Sequence, residues 1–453
     1  MSENPPVPSR SEWPSPLYGW YAVLVLLVAY TFSFVDRQIL NLLVTPIQAD
    51  LGISDFQIGL LQGPAFVLTY VLMSVPVGRM VDRFHRISIM VGGLLAWSAA
   101  TIACGLSRSF GQLMVSRLGV GAGEAALTPA AWSVLSDCFP PERLARPISV
   151  YLMGPYLGAG LAMIAGAEVL DWTGDADSLA MPFIGELAPW QFTFVAVGLP
   201  GLLIAALLAS IREPARKGRA SAVRDALPWN QVIRYVRQNA RIYLALLVGA
   251  PFIIVILYGL QGWTPTILVR VYDWDLAQAG RIYGVLALVS GSGGVLTGPW
   301  AARRLEAMGY GDYPLRLTVI SAAGAAAALA LLPWQSNPYG GLACVALGSF
   351  FVTLPLALVA SALQSVTPNE MRGVVVGTYV VTSNVIGLAL GPTLVAACTD
   401  YLFKDPAYVA WSLSLVSVSV APVAIGFLAL GMKPYARRMR DLSGLQAVAG
   451  EPA

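Results

Sequence analysis

The chain alternates long apolar runs with short polar breaks. Runs near 20–42, 57–77, 87–106, 110–135, 148–170 and 190–211 each hold about 20 mainly apolar residues, the length a helix needs to cross a bilayer. A second set follows near 242–263, 281–301, 315–333, 340–363, 373–398 and 408–431. Between the sets lies "REPARKGRASAVRDALPWNQVIRYVRQNARIY", a long polar segment suited to a linker with a short amphipathic helix near Pro228–Asn239. The pattern predicts an all-α polytopic membrane protein of twelve transmembrane helices, arranged as two pseudo-symmetric six-helix bundles, 20–211 and 242–431. Residues 1–19, 212–241 and 432–453 are then an N-terminal tail, a linker and a C-terminal tail. The opening "MSENPPVPSRSEWPSPLYGW" is Pro/Ser-rich and polar, which reads as a tail rather than a cleavable signal peptide.

Composition agrees. Of 453 residues, 57% are hydrophobic and 12% charged, half the roughly 25% charged residues of soluble domains. Four cysteines (Cys104, Cys138, Cys344, Cys398) are scattered without a CxxC pair and read as small packing residues. The one histidine, His85, lies in a basic loop with no Cys or His neighbours. Metal binding and histidine catalysis therefore lack material, and neither an enzyme nor a cofactor is expected. "GVGAGEA" at 119–125 has spaced glycines but lies inside a predicted span, without the strand a nucleotide site needs. Its Gly119 and Gly123 suit close helix packing instead.

The charges orient the spans. Of the 28 Lys and Arg, only Arg108, Arg270, Arg281 and Lys404 fall in the loops that would face outward if the N-terminus is inside. Arg37 and Arg117 lie within spans, and the rest share the other face. The positive-inside rule then places both termini in the cytoplasm, with the chain in the inner cell membrane.

The halves also resemble each other. "DFQIGLL" at 55–61 aligns with "LAQAGRI" at 276–282, putting Gln57 with Gln278 and Gly59 with Gly280 at a common offset. "GRMVDRFHR" at 78–86 aligns with "GPWAARRLE" at 298–306, and "PPERLAR" with "PNEMRG". Two such halves are how secondary transporters build a midplane site reached alternately from each side.

A charge at mid-membrane costs about 2.5–3.5 kcal/mol on insertion scales, so such residues mark functional sites by default. Within the predicted spans they are Asp36, Arg37, Arg117 and Glu124, all in the first half. Arg117 and Glu124 are seven residues apart, about 10 Å along one helix face. Because spans one and four run in opposite directions, Asp36 and Arg117 should share a depth, with Glu124 deeper. A purely structural ion network between the two spans is the competing reading.

The loop "GRMVDRFHR" resembles the signature Gly-x-x-x-Asp-Arg-x-Gly-Arg of the major facilitator superfamily, with His85 in place of the second glycine. The fourth span, "SRLGVGAGEAALTP", resembles that superfamily's Arg-containing motif. Asp36–Arg37, together with Arg117 and Gly121-x-Gly123-Glu124, is similar to the Spinster family of lipid transporters. The resemblance implies a proton-linked secondary transporter of an amphiphilic anionic lipid, of the lysophospholipid or sphingoid-phosphate class. A carrier of small organic anions or phosphates is the alternative. Glu124 and Asp36 are the expected proton-coupling residues. Arg37, Arg117, Tyr258 and Asn384 are the expected substrate contacts. Gly78, Asp82, Arg83 and Arg86 are expected to form a cytoplasmic gate, with Arg143, Arg146 and Arg372 as candidate partners of Asp82. The second half has Ala302 where the gate aspartate would be, so its copy lacks the acidic element. The expected partners are substrate, protons and membrane, with no nucleic acid, and the expected state is a monomer.

Overall fold

The computed structural model describes residues 13–140, 143–174, 178–181, 185–216, 229–368 and 371–449. Residues 1–12, 217–228 and 450–453, which belong to the predicted tails and linker, lie outside the described residues. Eleven of the described helices are long and apolar enough to cross a membrane. Span one is Pro16–Leu42, span two Asp55–Arg83, span three Arg86–Gly105, span five Arg146–Thr173 and span six Pro189–Ala209. In the second half, span seven is Ala240–Tyr272, eight Leu276–Ala307, nine Tyr313–Trp334, ten Pro338–Val366, eleven Arg372–Phe403 and twelve Pro406–Asp441. Span four is the twelfth, broken into Phe110–Glu124 and Leu127–Cys138.

The break has a covalent cause. Pro129 has no N–H to give the carbonyl four residues back, that of Ala125, and the chain loosens at Ala125–Ala126. Pro155 does the same to Tyr151, and span five is interrupted at Leu152–Met153, between Ala145–Tyr151 and Gly154–Thr173.

Several helices run further than the hydropathy windows. Span seven continues to Tyr272, and the last helix, Val409–Ala449, extends well into the predicted tail. Arg270 and Arg281, expected in loops, therefore sit on helices. The linker does carry a helix, Trp229–Gln238, whose Val232 is buried and whose Tyr235 hydroxyl donates to the Val366 carbonyl at 2.9 Å. Between spans five and six, Leu179–Met181 pairs antiparallel with Gly185–Leu187, a small hairpin absent from the sequence reading.

The internal repeat is visible in the caps. Ser54 caps span two in a reciprocal capping box with Gln57, and Asp275, at the equivalent position, caps span eight by accepting from Ala277 and Gln278. Gly59 then packs on span eleven at Thr393 and Ala396, while its counterpart Gly280 packs on span five at Met163 and Ala167. The same swapped contact, made twice, is what two-fold related halves produce.

Among the described residues, the halves meet tightly at the end away from the basic face. A Cβ on Gly63 of span two would lie 2.4 Å from the Leu388 carbonyl oxygen of span eleven. Further along the same two helices, towards the basic face, Gly78, Gly373 and Gly377 have open space around them. The cleft between the halves is therefore closed away from the basic face and open towards it.

Within the first half, Gly121 lets span four approach span two: a Cβ there would fall 2.3 Å from the Phe66 carbonyl oxygen. Gly121→Ala is expected to lower stability by about 1–3 kcal/mol through overpacking, whereas Gly78→Ala is expected to leave it unchanged. Thermal unfolding of the two variants in the same detergent checks the contrast.

Candidate functional site

Successive helix residues point about 100° apart, so Asp36, Arg37 and Gln38 of span one face three different neighbours. Asp36 is fully buried and turns to Trp97 and Thr101 of span three, yet neither carboxylate oxygen makes a hydrogen bond of normal geometry. Gln38 turns to the other half and donates to the Gln261 side chain of span seven at 2.7 Å. Arg37 turns into the cleft.

The Arg37 guanidinium lies 4.4 Å from the Phe34 ring centroid, 4.1 Å from that of Phe66 and 5.9 Å from that of Tyr70. Desolvated cation–π contacts of this kind reach about 2 kcal/mol, so the apolar lining stabilises the cation as well as enclosing it. Its Nη2 is paired with the Glu124 carboxylate, whose side chain is 1% exposed. Ser33 lies beside Glu124, and Tyr258 of span seven faces Arg37 from the second half.

Arg117 and Glu124 share one helix but do not pair. Arg117 instead donates to two backbone carbonyls, of Leu61 at 3.3 Å and Asp36 at 3.4 Å, and its Nη2 has no hydrogen-bond partner. Those bonds put it at the depth of Asp36 and tie span four to spans one and two. Glu124 is taken instead by Arg37, which comes in from span one. Asn384 lies on a π-helical turn, Ser383–Leu388, with its amide donating to the Val380 carbonyl of its own helix at 2.8 Å.

At the basic end, Arg83 and Arg86 of the loop motif part company. Arg83 is exposed, while Arg86 is fully buried. Arg86 pairs with Asp137 at the end of span four, and with Glu213 just past span six at 2.9 Å. It also donates to Ser133 and to the Pro214 carbonyl. Beside it, Arg216 caps the end of span two, donating to the carbonyls of Val81 at 2.9 Å, Asp82 and Phe84. Of the partners considered for Asp82, Arg372 caps span ten through the Gln364 and Thr367 carbonyls. Asp137 and Glu213 were missed because each sits at a helix end in a polar stretch, where a carboxylate draws no notice. Phe66 and Tyr70, one turn apart on span two, were a readable signal.

Twelve spans in two swapped halves, with a buried charge cluster at the head of a one-sided cleft, define a membrane carrier. The Major Facilitator Superfamily model matches residues 26–392, and the chain belongs to that superfamily. It is 27% identical to an MFS-type efflux pump of Mycolicibacterium smegmatis over 94% of this chain and 95% of that protein. It is 24% identical to the protein spinster of Drosophila melanogaster over 88% and 66% of the two chains, and 25% identical to spinster homolog 1 of Homo sapiens over 85% and 74%. A solved bacterial homologue of the human lysosomal transporter Spinster, inward-facing and unoccupied, superposes with a TM-score of 0.74 at 24% identity, covering 94% of this chain and 98% of that one. The protein is a membrane transporter of that superfamily rather than an enzyme.

Breaking a buried pair from one side costs about 3–5 kcal/mol, because it strands the other charge. Arg37→Ala is accordingly expected to lower the unfolding midpoint clearly. The double variant R37A/E124A should recover a large part of that loss. A thermal double-mutant cycle on the four proteins checks it, and additive losses would contradict the pairing.

Proposed function

We propose that the protein is a proton-linked secondary transporter of an amphiphilic anionic lipid, of the lysophospholipid or sphingoid-phosphate class, working by alternating access. The observation that carries this reading is the Arg37–Glu124 pair at the head of the cleft. Aromatic rings lie against the guanidinium, and the edge that would grip a phosphate or carboxylate is held by Glu124. An anion therefore reaches Arg37 only when Glu124 lets go, and a proton on Glu124 is what releases it. Proton and anion are then carried together, in the same direction. Asp36, fully buried beside Trp97 and Thr101, is the second proton-coupling residue. Arg117 has one uncommitted Nη2 and can add to the anion site, with Tyr258 lining it from the other half and Asn384 further along span eleven.

The basic face is the cytoplasmic one in this reading, so the cleft faces inward as it does in the solved homologue. Apolar side chains exposed on span two (Leu72, Met73, Val75) and on span eleven (Val380, Val381) flank the open end. Such flanks suit an acyl chain better than a small organic anion or phosphate, which remains the alternative substrate class. Gly78, Asp82, Arg83 and Arg86 form the cytoplasmic gate that must close for the outward-open state.

In proteoliposomes, uptake of a lysophospholipid against small anions, with and without a pH gradient, separates the two substrate classes. Affinity for the anion should rise as pH falls in the parent protein, because protonation of Glu124 frees Arg37. Glu124→Gln should bind with the parent's low-pH affinity at every pH and lose the response to the gradient, while Arg37→Ala should abolish uptake. A Glu124→Gln variant that keeps the parent's pH response moves the switch to Asp36. For the gate, Asp82→Asn should shift spin-label distances at the cytoplasmic ends of the halves towards the open state, and an unshifted distribution would remove Asp82 from it.

A further inference from the structure

The linker helix, Trp229–Gln238, is separated from the start of span seven by Asn239 alone. Its inner edge is Val232, Tyr235 and Val236, packed on the core. The Tyr235 hydroxyl ties that edge to two spans at once. It donates to the Val366 carbonyl at the end of span ten and accepts from Arg438 Nη2 of the last helix at 3.1 Å. Ile233, Arg234, Arg237 and Gln238 are all exposed. So are Arg241, in the first turn of span seven, and Leu244, three residues on and therefore on the same face.

We infer that the linker helix and the start of span seven form a docking site for anionic phospholipid headgroups in the leaflet at the basic face. Three observations carry this. The first is uncommitted charge. Among the described residues, Arg234, Arg237 and Arg241 make no ion pair and no side-chain hydrogen bond. Arg86, Arg216, Arg316, Arg372 and Arg438, at the same end of the molecule, all have protein partners. The second is the lack of acid: from Ala226 to Tyr272 the sequence holds no Asp or Glu. The third is where the exposed apolar side chains stand. Leu244 lies on the outside of a membrane span, where acyl chains are the solvent, so Arg241 one turn earlier lies at headgroup level. Ile233 and Arg237, four residues apart, repeat the pairing of an apolar with a basic side chain on one helix face. A basic and apolar edge of this kind is what seats a helix in a membrane interface. Gln231 and Gln238, seven apart, form the remaining exposed edge, which faces water.

Phosphate is the group these side chains select. Guanidinium groups fork onto phosphate oxygens, and an anionic leaflet adds an attraction that a zwitterionic one lacks. Tyr235 clamps the helix to spans ten and twelve, and Asn239 joins it to span seven. Lipid held here therefore anchors the inner end of the second half alone. The site shares no residue with the Arg37–Glu124 pair and stands apart from the assignment of the cargo.

The test uses full-length protein in neutral detergent, titrated with phosphatidylglycerol or with phosphatidylcholine, with bound lipid counted by native mass spectrometry. Phosphatidylglycerol should bind the more tightly. R234Q, R237Q and R241Q should each weaken its binding by about fivefold, the effect of one basic group near an anionic surface, and leave phosphatidylcholine unchanged. R303Q removes an exposed arginine elsewhere at the same end and should change neither. In vesicles containing phosphatidylglycerol, a spin label at Ile233 should be reached by dissolved oxygen and shielded from a water-soluble nickel chelate. One at Gln238 should behave in the opposite way. Equal losses in R303Q and the linker variants would make the attraction diffuse and overturn the site. Loss in Arg37→Ala but in none of the linker variants would put the bound lipid in the cleft, with the same consequence. A label at 233 open to the chelate would leave this face to an acidic soluble partner and overturn the lipid assignment.

Discussion

A charge in the low-dielectric middle of a membrane persists only where something on the protein answers it. That constraint organises this structure. Arg37 is answered by Glu124 and by aromatic faces, Arg117 by two backbone carbonyls, and Arg86, at the basic end, by Asp137 and Glu213. Each answer comes from a different helix, so each charge ties together helices that hydrophobic packing alone would leave free to slide in lipid. The first half is consequently a charge-braced unit: spans one, two and four meet at Arg37 and Arg117, and span three, span four and the segment after span six meet at Arg86.

Span one concentrates the consequences. Because it is helical through 36, 37 and 38, one short segment touches the buried acid, the ion pair and the other half at once. A change in charge at Glu124 alters what Arg37 must face, and any rotation of span one that follows moves Gln38 against Gln261. For the proposed proton switch, this local geometry would be a direct mechanical route from Glu124 to the interface between the halves. It also explains why the halves are joined near the site by neutral amides: such bonds exchange cheaply with water, so the interface can open without stranding a charge.

Much of this was legible in the chain. Twelve apolar runs, the polar linker and the confinement of charge to spans one and four follow from the insertion cost of charge, which is a property of residue type and length. The repeat showed through at Gln57/Gln278 and Gly59/Gly280 because both pairs sit at a helix start whose cap and close contact recur in each half. Partnerships were not legible. Spacing on one helix showed that Arg117 and Glu124 share a face, but no periodicity encodes that Arg37 comes in from span one to take Glu124. Arg270 hid for a related reason. Hydropathy ends span seven where polar residues begin, yet the helix continues because its partner in the other half, Asp55, makes a polar last turn favourable.

The division of labour between the halves follows from the same asymmetry. Duplication copied the scaffold, as the caps and swapped glycine contacts show, but the intramembrane charges stand on one side only. Position 258, the counterpart of Arg37, is a tyrosine, and it faces that arginine across the cleft. A second arginine there would have opposed the first, and a carboxylate would have competed with Glu124 for it, freezing the pair. In the proposed cycle, a neutral phenol can donate to an incoming anion while leaving the Arg37–Glu124 equilibrium to be decided by the proton and the substrate. On the proposed reading, the second half contributes shape and a hydrogen-bond donor, and the first half holds the switch. An alternating-access carrier with this arrangement needs only one half to change its charge state for both to move.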